Sequence, residues 1–411
     1  MSEPSGRAVG PHGHAGTQLR GSDDRPALPR HLYVHVPLCR SKCAYCDFHS
    51  LTPDALGLPP GELVSRLVDQ ARAWTERDAE PVPLETLYVG GGTPSALGEA
   101  LPVLVDVLGG MFGLVPRAEV TVEANPESFS PGLARALATA GVTRVSLGVQ
   151  SLDDAELRAL GRRHSAGEAL TAARAVSDAG LMLAIDLMCG VPGQSAASWE
   201  STLAGALGIE AAHVSVYPLS VEPGTPLAGR VAAGAVTLPD ADTAADMMVA
   251  ASERLAEAGL VRYEVANYAR SGHESRHNSA YWTGREYLAV GPSAHGMLSA
   301  ATAVAAGMPV PGGAARIRYA VPCVDDGGLE ARPPLESEPL DSDAAAREDA
   351  MLGLRRVEGI TDALAGRAGA RRALESLEAD GLVERAGDRW RTTERGWLLG
   401  NEVFGRVWHV S

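Results

Sequence analysis

Six short runs of β-branched and other apolar residues punctuate the first half of the chain, at 32–36, 86–89, 120–123, 144–149, 182–187 and 213–217. Runs of this length and composition read as buried strands. Between them, 63–74, 101–108, 132–140, 169–179 and 198–207 carry apolar residues at helical spacing. Strand alternating with helix predicts parallel βαβ units and an α/β fold. Six such units close into an open doubly wound sheet or a partial (β/α)6 TIM-like barrel, and periodicity alone does not choose.

Beyond these units, a helix (Met247–Leu255) leads into another short strand, and 267–296 is dense in aromatic residues and histidine. The segment Tyr287–Ala315 contains no Asp, Glu, Lys or Arg, but five glycines and three prolines interrupt it. That pattern predicts a glycine-rich buried loop, not a membrane span. A Pro-rich acidic linker (333–343) precedes two helical patterns, a helix over 374–380, a hairpin-like 382–392 and a last helix from Glu394, an order that is winged-helix-like. The first thirty residues are rich in Gly, Pro, Ser and His and lack a signal-peptide core, which predicts a disordered tail. The expected organisation is a tail at 1–30, the barrel at 31–265, an aromatic and histidine-rich region with linker at 266–335, and a C-terminal winged-helix-like unit at 336–411.

At 411 residues with 45% hydrophobic content, the chain can bury a large core across two or three units. Its net charge of −15 argues against broad attraction to nucleic acid or an anionic membrane. From Asp341 onward there are 11 Lys plus Arg against 13 Asp plus Glu, so the C-terminal unit lacks the basic footprint of a DNA reader. Three of the five cysteines fall between Cys39 and Cys46, with Cys189 and Cys323 isolated. Such crowding reads as one local thiolate site in a reducing, cytoplasmic compartment.

That site is Cys39-Arg40-Ser41-Lys42-Cys43-Ala44-Tyr45-Cys46, a CxxxCxxC spacing that gathers three thiolates on one loop. In a four-iron cubane, three cysteines leave one iron without a protein ligand. S-adenosylmethionine (SAM) can dock there through its amino and carboxylate groups and be cleaved by an electron from the [4Fe–4S] cluster. The alternative is a closed zinc site, with His35 or His49 as fourth ligand. Gly90-Gly91-Gly92-Thr93-Pro94 follows the second strand, and consecutive glycines let backbone amides approach an anionic or zwitterionic ligand. A tight strand-to-helix turn is its bland reading. Glu123, Gln150 and Asp186 lie at or near the carboxyl ends of the third, fourth and fifth strands, where polar residues face a barrel cavity. Each alone is also a plausible helix cap or satisfied buried polar group. Arg162 offers a charge-assisted partner for a carboxylate, with a solvated surface arginine as the alternative.

The cysteine spacing, with Tyr45 before the third cysteine, resembles the signature of the radical SAM superfamily, which implies the partial barrel and places the SAM amino group at the glycine motif. Tyr33, GGGTP, VEANP, GVQS, LGRRH and IDLMCGVPGQ narrow the resemblance to the oxygen-independent coproporphyrinogen III oxidases and their HemW-type heme chaperone relatives, over roughly 32–296. Carried over position by position, the resemblance implies a SAM pocket lined by Tyr33, Tyr45, Gly91, Gly92, Thr93, Glu123, Gln150, Arg162 and Asp186. The oxidases carry a further cysteine two positions after the third cluster ligand, where this chain has Phe48. The segment His277-Asn278-Ser279-Ala280-Tyr281-Trp282 matches the HNxxYW motif associated with heme binding in the chaperones. Imidazole is a common heme-iron ligand, and Tyr281 and Trp282 offer flat apolar surface to a macrocycle. Bland readings exist for these too, a hydrogen-bonded histidine and core aromatics; His295 and His213 are weaker candidates, for which a structural role is favoured. The resemblance implies binding of the cluster, SAM and heme, with transfer of heme to acceptor proteins such as membrane-bound respiratory proteins. It leaves a homodimer open and implies no nucleic acid. The alternative is a coproporphyrinogen oxidase-like enzyme acting on a tetrapyrrole.

Overall fold

A computed structural model describes residues 26–410. Most of the predicted tail, up to residue 25, lies outside the described residues. Its last few residues join the fold: Leu28 is buried and its N–H donates to the Glu80 carbonyl.

All six predicted strands form, as β1 (His31–Val36), β2 (Leu84–Gly91), β3 (Leu114–Ala124), β4 (Arg144–Gln150), β5 (Met182–Cys189) and β6 (His213–Pro218). They are parallel and lie side by side in chain order. Three strands extend the sheet. β7 (Val261–Arg262) and β8 (Asn267–Ala269) add antiparallel next to β6, and β9 (Leu288–Val290) adds parallel to β1. The nine-stranded order β7-β8-β6-β5-β4-β3-β2-β1-β9 has two free edges, so the barrel is partial.

Alternation along the strands decides what faces where. Val89, Val122, Leu147, Ile185 and Val216 point outward and pack with Leu67, Leu104, Leu137, Val176 and Leu203 of the connecting helices. The residues between them, such as Tyr88, Glu123, Ser146, Asp186 and Ser215, line the interior. Helix starts are fixed locally, as where Ser165 and Glu168 form a reciprocal capping box at Ala166–Asp178.

The expected glycine-rich loop at 287–315 is not a loop. It holds β9, β10 (His295–Ser299) and a short helix, Ala300–Ala305. Its strands are too short for a periodic signal, and four of its five glycines lie between the elements while Gly296 sits within β10. β10 pairs with β11 (Arg316–Ala320), and β11 with β12 (Glu336–Leu340), in a separate antiparallel sheet. Among the described residues no helix is long and apolar enough to cross a membrane.

The C-terminal unit has its own core around Leu354, Leu374, Leu377, Trp390, Val403 and Phe404. Its hairpin, β14 (Val383–Ala386) and β15 (Arg389–Thr392), gains a third strand, β13 (Ile360–Thr361). Polar contacts dock it at more than one point. Arg316 of β11 pairs with Glu348 at 2.6 Å and Asp349 at 2.7 Å on helix Ser342–Gly353, and the Trp397 indole donates to the Val265 carbonyl at 2.7 Å.

Candidate functional site

The barrel interior is a cavity of about 420 Å³. The loop after β1 brings Cys39, Cys43 and Cys46 to its rim, held by reciprocal backbone bonds with Leu51 and by Ala44 donating to the Leu160 carbonyl. Burial raises the Cys39 and Cys46 thiols above their ordinary value. Among the described residues no three His, Cys, Asp or Glu side chains converge to hold one metal ion. A cubane gives each thiolate its own iron and does not ask for that convergence. His35, weighed as a fourth zinc ligand, has both ring nitrogens engaged, one 3.1 Å from the Tyr33 hydroxyl and the other 2.9 Å from the His49 carbonyl.

The glycine motif crosses directly behind this loop. A Cβ at Gly92 would sit 2.8 Å from the Leu38 carbonyl and 3.1 Å from the Cys39 sulfur, and one at Gly91, where φ is 109°, 2.7 Å from the His35 ring. Only glycine fits there. The expectation of free amides is corrected. Gly91 N–H donates to Glu123 at 3.0 Å, Gly92 N–H to the Val36 carbonyl at 2.9 Å, and Thr93 N–H to the Leu38 carbonyl at 2.7 Å. With its amides spent inside the protein, the motif can offer a ligand carbonyl oxygens, which suit an ammonium group and not an anion.

From Thr93 a polar chain joins two of the thiols. The Thr93 hydroxyl is 3.2 Å from the Cys39 sulfur and accepts from the Asn125 amide at 3.1 Å. Arg162 donates to the Asn125 carbonyl oxygen and to the Gly148 carbonyl, both at 2.7 Å, and reaches the Cys43 sulfur at 3.5 Å. Asn125 was missed in the sequence, although it follows Glu123 by two positions and thus shares its inward face.

Glu123 and Asp186 are the acids of the wall. Glu123 accepts from the Tyr88 hydroxyl at 2.7 Å, and burial, with the nearby Asp186 charge, pushes its carboxyl up to about 7. Burial likewise raises Asp186 to about 6, against hydrogen bonds from Ser215 and Ser146. The expectation that Glu123, Gln150 and Asp186 lie in register on successive strands is corrected. Glu123 pairs with Ser146, and Asp186 with Gly148, because barrel stagger shifts each strand against the last. A register shift between Gly148 and Gln150, with Gln150 at φ 65°, brings that side chain back to the cavity. Tyr45, Gly91, Gly92, Thr93 and Arg162 also line it, and Tyr33 does not. Tyr217, Thr121, Ser146 and Ser215 complete the wall, and counting every second residue along each strand would have found them. Phe48 stands at the mouth, 64% exposed.

The HNxxYW residues divide. Ser275 caps the helix Arg276–Trp282, accepting from Asn278 N–H, and Asn278 lines the barrel cavity. Tyr281 and Trp282 line a second cavity, of about 710 Å³, between the helix, the β10–β12 sheet and the C-terminal unit. His277 faces neither. It is 1% exposed, with Nδ1 2.7 Å from the Thr86 hydroxyl, Nε2 2.6 Å from the Tyr281 hydroxyl, and its ring stacked on Tyr88. Burial lowers its pKa to about 3, so the ring is neutral, yet neither nitrogen is open to a metal. His213 is also buried, bonded to the Tyr263 hydroxyl at 2.9 Å.

The profile of the radical SAM superfamily matches residues 33–204, and that of the HemN C-terminal domain residues 340–399. The heme chaperone HemW of Mycobacterium tuberculosis is 39% identical over 396 residues, covering 95% of this chain and 97% of the relative. HemW of Bacillus subtilis is 30% identical over 385 residues, covering 91% and 97%. Coproporphyrinogen III oxidase (HemN) of Escherichia coli, a radical SAM enzyme, superposes with a TM-score of 0.75 at 19% identity, covering 94% of this chain and 92% of that one, which establishes a shared fold. The superfamily is one of [4Fe–4S] cluster and SAM cofactors. With two full-length relatives at these identities and both domain profiles in place, the chain belongs to the HemW family of radical SAM proteins.

Proposed function

We propose that the chain is a heme chaperone that holds a [4Fe–4S] cluster on Cys39, Cys43 and Cys46, binds SAM and heme, and passes heme to acceptor proteins, membrane-bound respiratory proteins among them. The observation that carries the reading is the similarity to proteins named heme chaperones over nearly the whole chain. Phe48 supports it, since the oxidases' additional cysteine is missing at that position.

The barrel cavity suits SAM on charge. Among its lining groups are two buried carboxyls, Glu123 and Asp186, with no ion-pair partner among the described residues; burial holds them partly protonated, and a cation lets both ionise. SAM, when bound, supplies a sulfonium open to one-electron cleavage. Around it Tyr88 and Gly91 orient Glu123, Asn125 and Arg162 brace the cysteine loop, and Phe48 covers the mouth. A second reading, a radical enzyme acting on a tetrapyrrole, draws on the same polar wall and is opposed by Phe48.

One pair of measurements tests both. Hemin titration of the purified chain should give a Soret band with saturable binding, and absence of binding overturns the chaperone reading. Anaerobic protein with reconstituted cluster, reductant, SAM and coproporphyrinogen should yield no protoporphyrinogen, whereas steady turnover establishes the second reading.

A further inference from the structure

We infer that heme iron is ligated by His295 in the second cavity, and that His277 is the brace of that cavity's wall. The inference rests on the reading that this chain binds heme and assigns the ligand within it.

His277 lacks a free nitrogen, and freeing Nε2 would break its bond to Tyr281. The two motif aromatics point elsewhere, into the second cavity, together with Tyr287, Met297 and Met351. Aromatic rings and thioethers along a roomy cleft are the surface a flat macrocycle needs. His295 lies on the same wall, two residues before Met297 on β10 and therefore on the same face. Its side chain is exposed, and among the described residues neither ring nitrogen has a hydrogen-bond partner. An imidazole with a free lone pair at such a surface is a ready axial ligand.

The backbone before it is also unusual. Between β9 and β10 the chain turns within four residues, with Gly291 at φ 92° and Ser293 at φ 64°. A Cβ at Gly291 would lie 2.1 Å from the His35 carbonyl. Serine in the left-handed region is costly, and such strain gathers where a following side chain must be aimed. That next position but one is His295.

Charge sets the orientation. Arg318, opposite Met297, is already paired with Glu348 at 3.0 Å and with Glu338. The wall is acid-rich, with Glu336 and Glu338 exposed on it, so the propionate edge of the macrocycle would face open solvent. Helix Ser342–Gly353 supplies Met351, which makes the C-terminal unit part of the site.

The test is hemin titration of the full chain, followed by absorption and electron paramagnetic resonance, for wild type, His295→Gly, His277→Gln and Met351→Trp. His295→Gly should weaken hemin binding at least tenfold and change the ligand-field spectrum, and added imidazole should restore the wild-type spectrum. Met351→Trp, which fills the cavity, should weaken binding with the spectrum of any bound fraction unchanged. His277→Gln should keep the wild-type spectrum. If His295→Gly binds hemin with unaltered spectrum, or His277→Gln is the variant whose spectrum changes and imidazole rescues, the assignment is overturned while heme binding stands. If wild type binds no hemin, both fall.

Discussion

SAM binding should weaken about tenfold between pH 8 and pH 6 through Glu123 alone. Burial raises this carboxyl to about 7, so at pH 8 it is mostly ionised and at pH 6 about nine-tenths protonated. The sulfonium and ammonium groups of SAM are attracted to the carboxylate, so binding at low pH must first remove a proton. That step costs about 1.4 kcal/mol at pH 6 and less than about 0.1 kcal/mol at pH 8, and the difference is the tenfold. Asp186, at about 6, adds roughly a factor of two at the acid end. Affinity therefore rises with pH and levels off above 8. Equilibrium dialysis of radiolabelled SAM against anaerobic, cluster-loaded protein measures it. The ligand's own ionisation contributes equally to wild type and to Glu123→Gln, so the difference in slope between the two is decisive. Equal slopes would refute the placement of the cation against Glu123.

Four further outcomes are expected. Replacing Cys39, Cys43 and Cys46 together by serine should abolish iron and sulfide content after anaerobic reconstitution, read by elemental analysis. Asn125→Ala leaves Arg162 and Thr93 each short of a partner and should cost about 1–3 kcal/mol in denaturant unfolding, with lower cluster occupancy. Gly91→Ala puts a methyl group against the His35 ring at a φ of 109° and should lower stability by about 1–3 kcal/mol from backbone strain alone, visible as a fall in Tm. His213 is held neutral, with its pKa lowered by burial to about 3, so stability falls as pH drops below the unfolded value of 6.5; between pH 7.5 and 5 wild type should lose about 2 kcal/mol more than His213→Gln.

How much of this was legible in the sequence follows from the range of the interactions. Strands β1 to β6 and their helices carry strong local patterns, and every one formed where the apolar runs placed it. β9 is three residues long, too short for any pattern, and its place beside β1 depends on a partner more than 250 residues earlier. The cavity wall was half visible. Glu123, Gln150 and Asp186 stood out as polar residues near strand ends, while Ser146, Ser215 and Tyr217 are ordinary strand residues until alternation is followed inward. The glycine motif was legible as a site of close approach but not as one whose amides are consumed, because their acceptors Val36, Leu38 and Glu123 belong to other segments. His277 shows the limit best. Its identity reads as a ligand, yet its bond to Thr86 of β2, 191 residues away, makes it part of the core.

That burial changes what a substitution at His277 can mean. Helix Arg276–Trp282 has only seven residues and would not persist alone. It is held by the Ser275 cap, by Glu119 accepting from the Arg276 and His277 N–H groups at 2.9 and 3.0 Å, and by the His277 ring between Thr86 and Tyr281. Glu119 is itself fixed by the buried Arg144, at 3.2 Å. Removing the imidazole leaves the Thr86 and Tyr281 hydroxyls short of a partner and loosens the element that presents Tyr281 and Trp282 to the second cavity. Heme affinity would then fall whether or not His277 ever touched iron. Loss of binding on its own therefore does not identify a ligand here. A ligand sets the electronic state of the iron, whereas a brace sets only how often the site is formed, so the spectrum of the fraction that still binds separates the two roles.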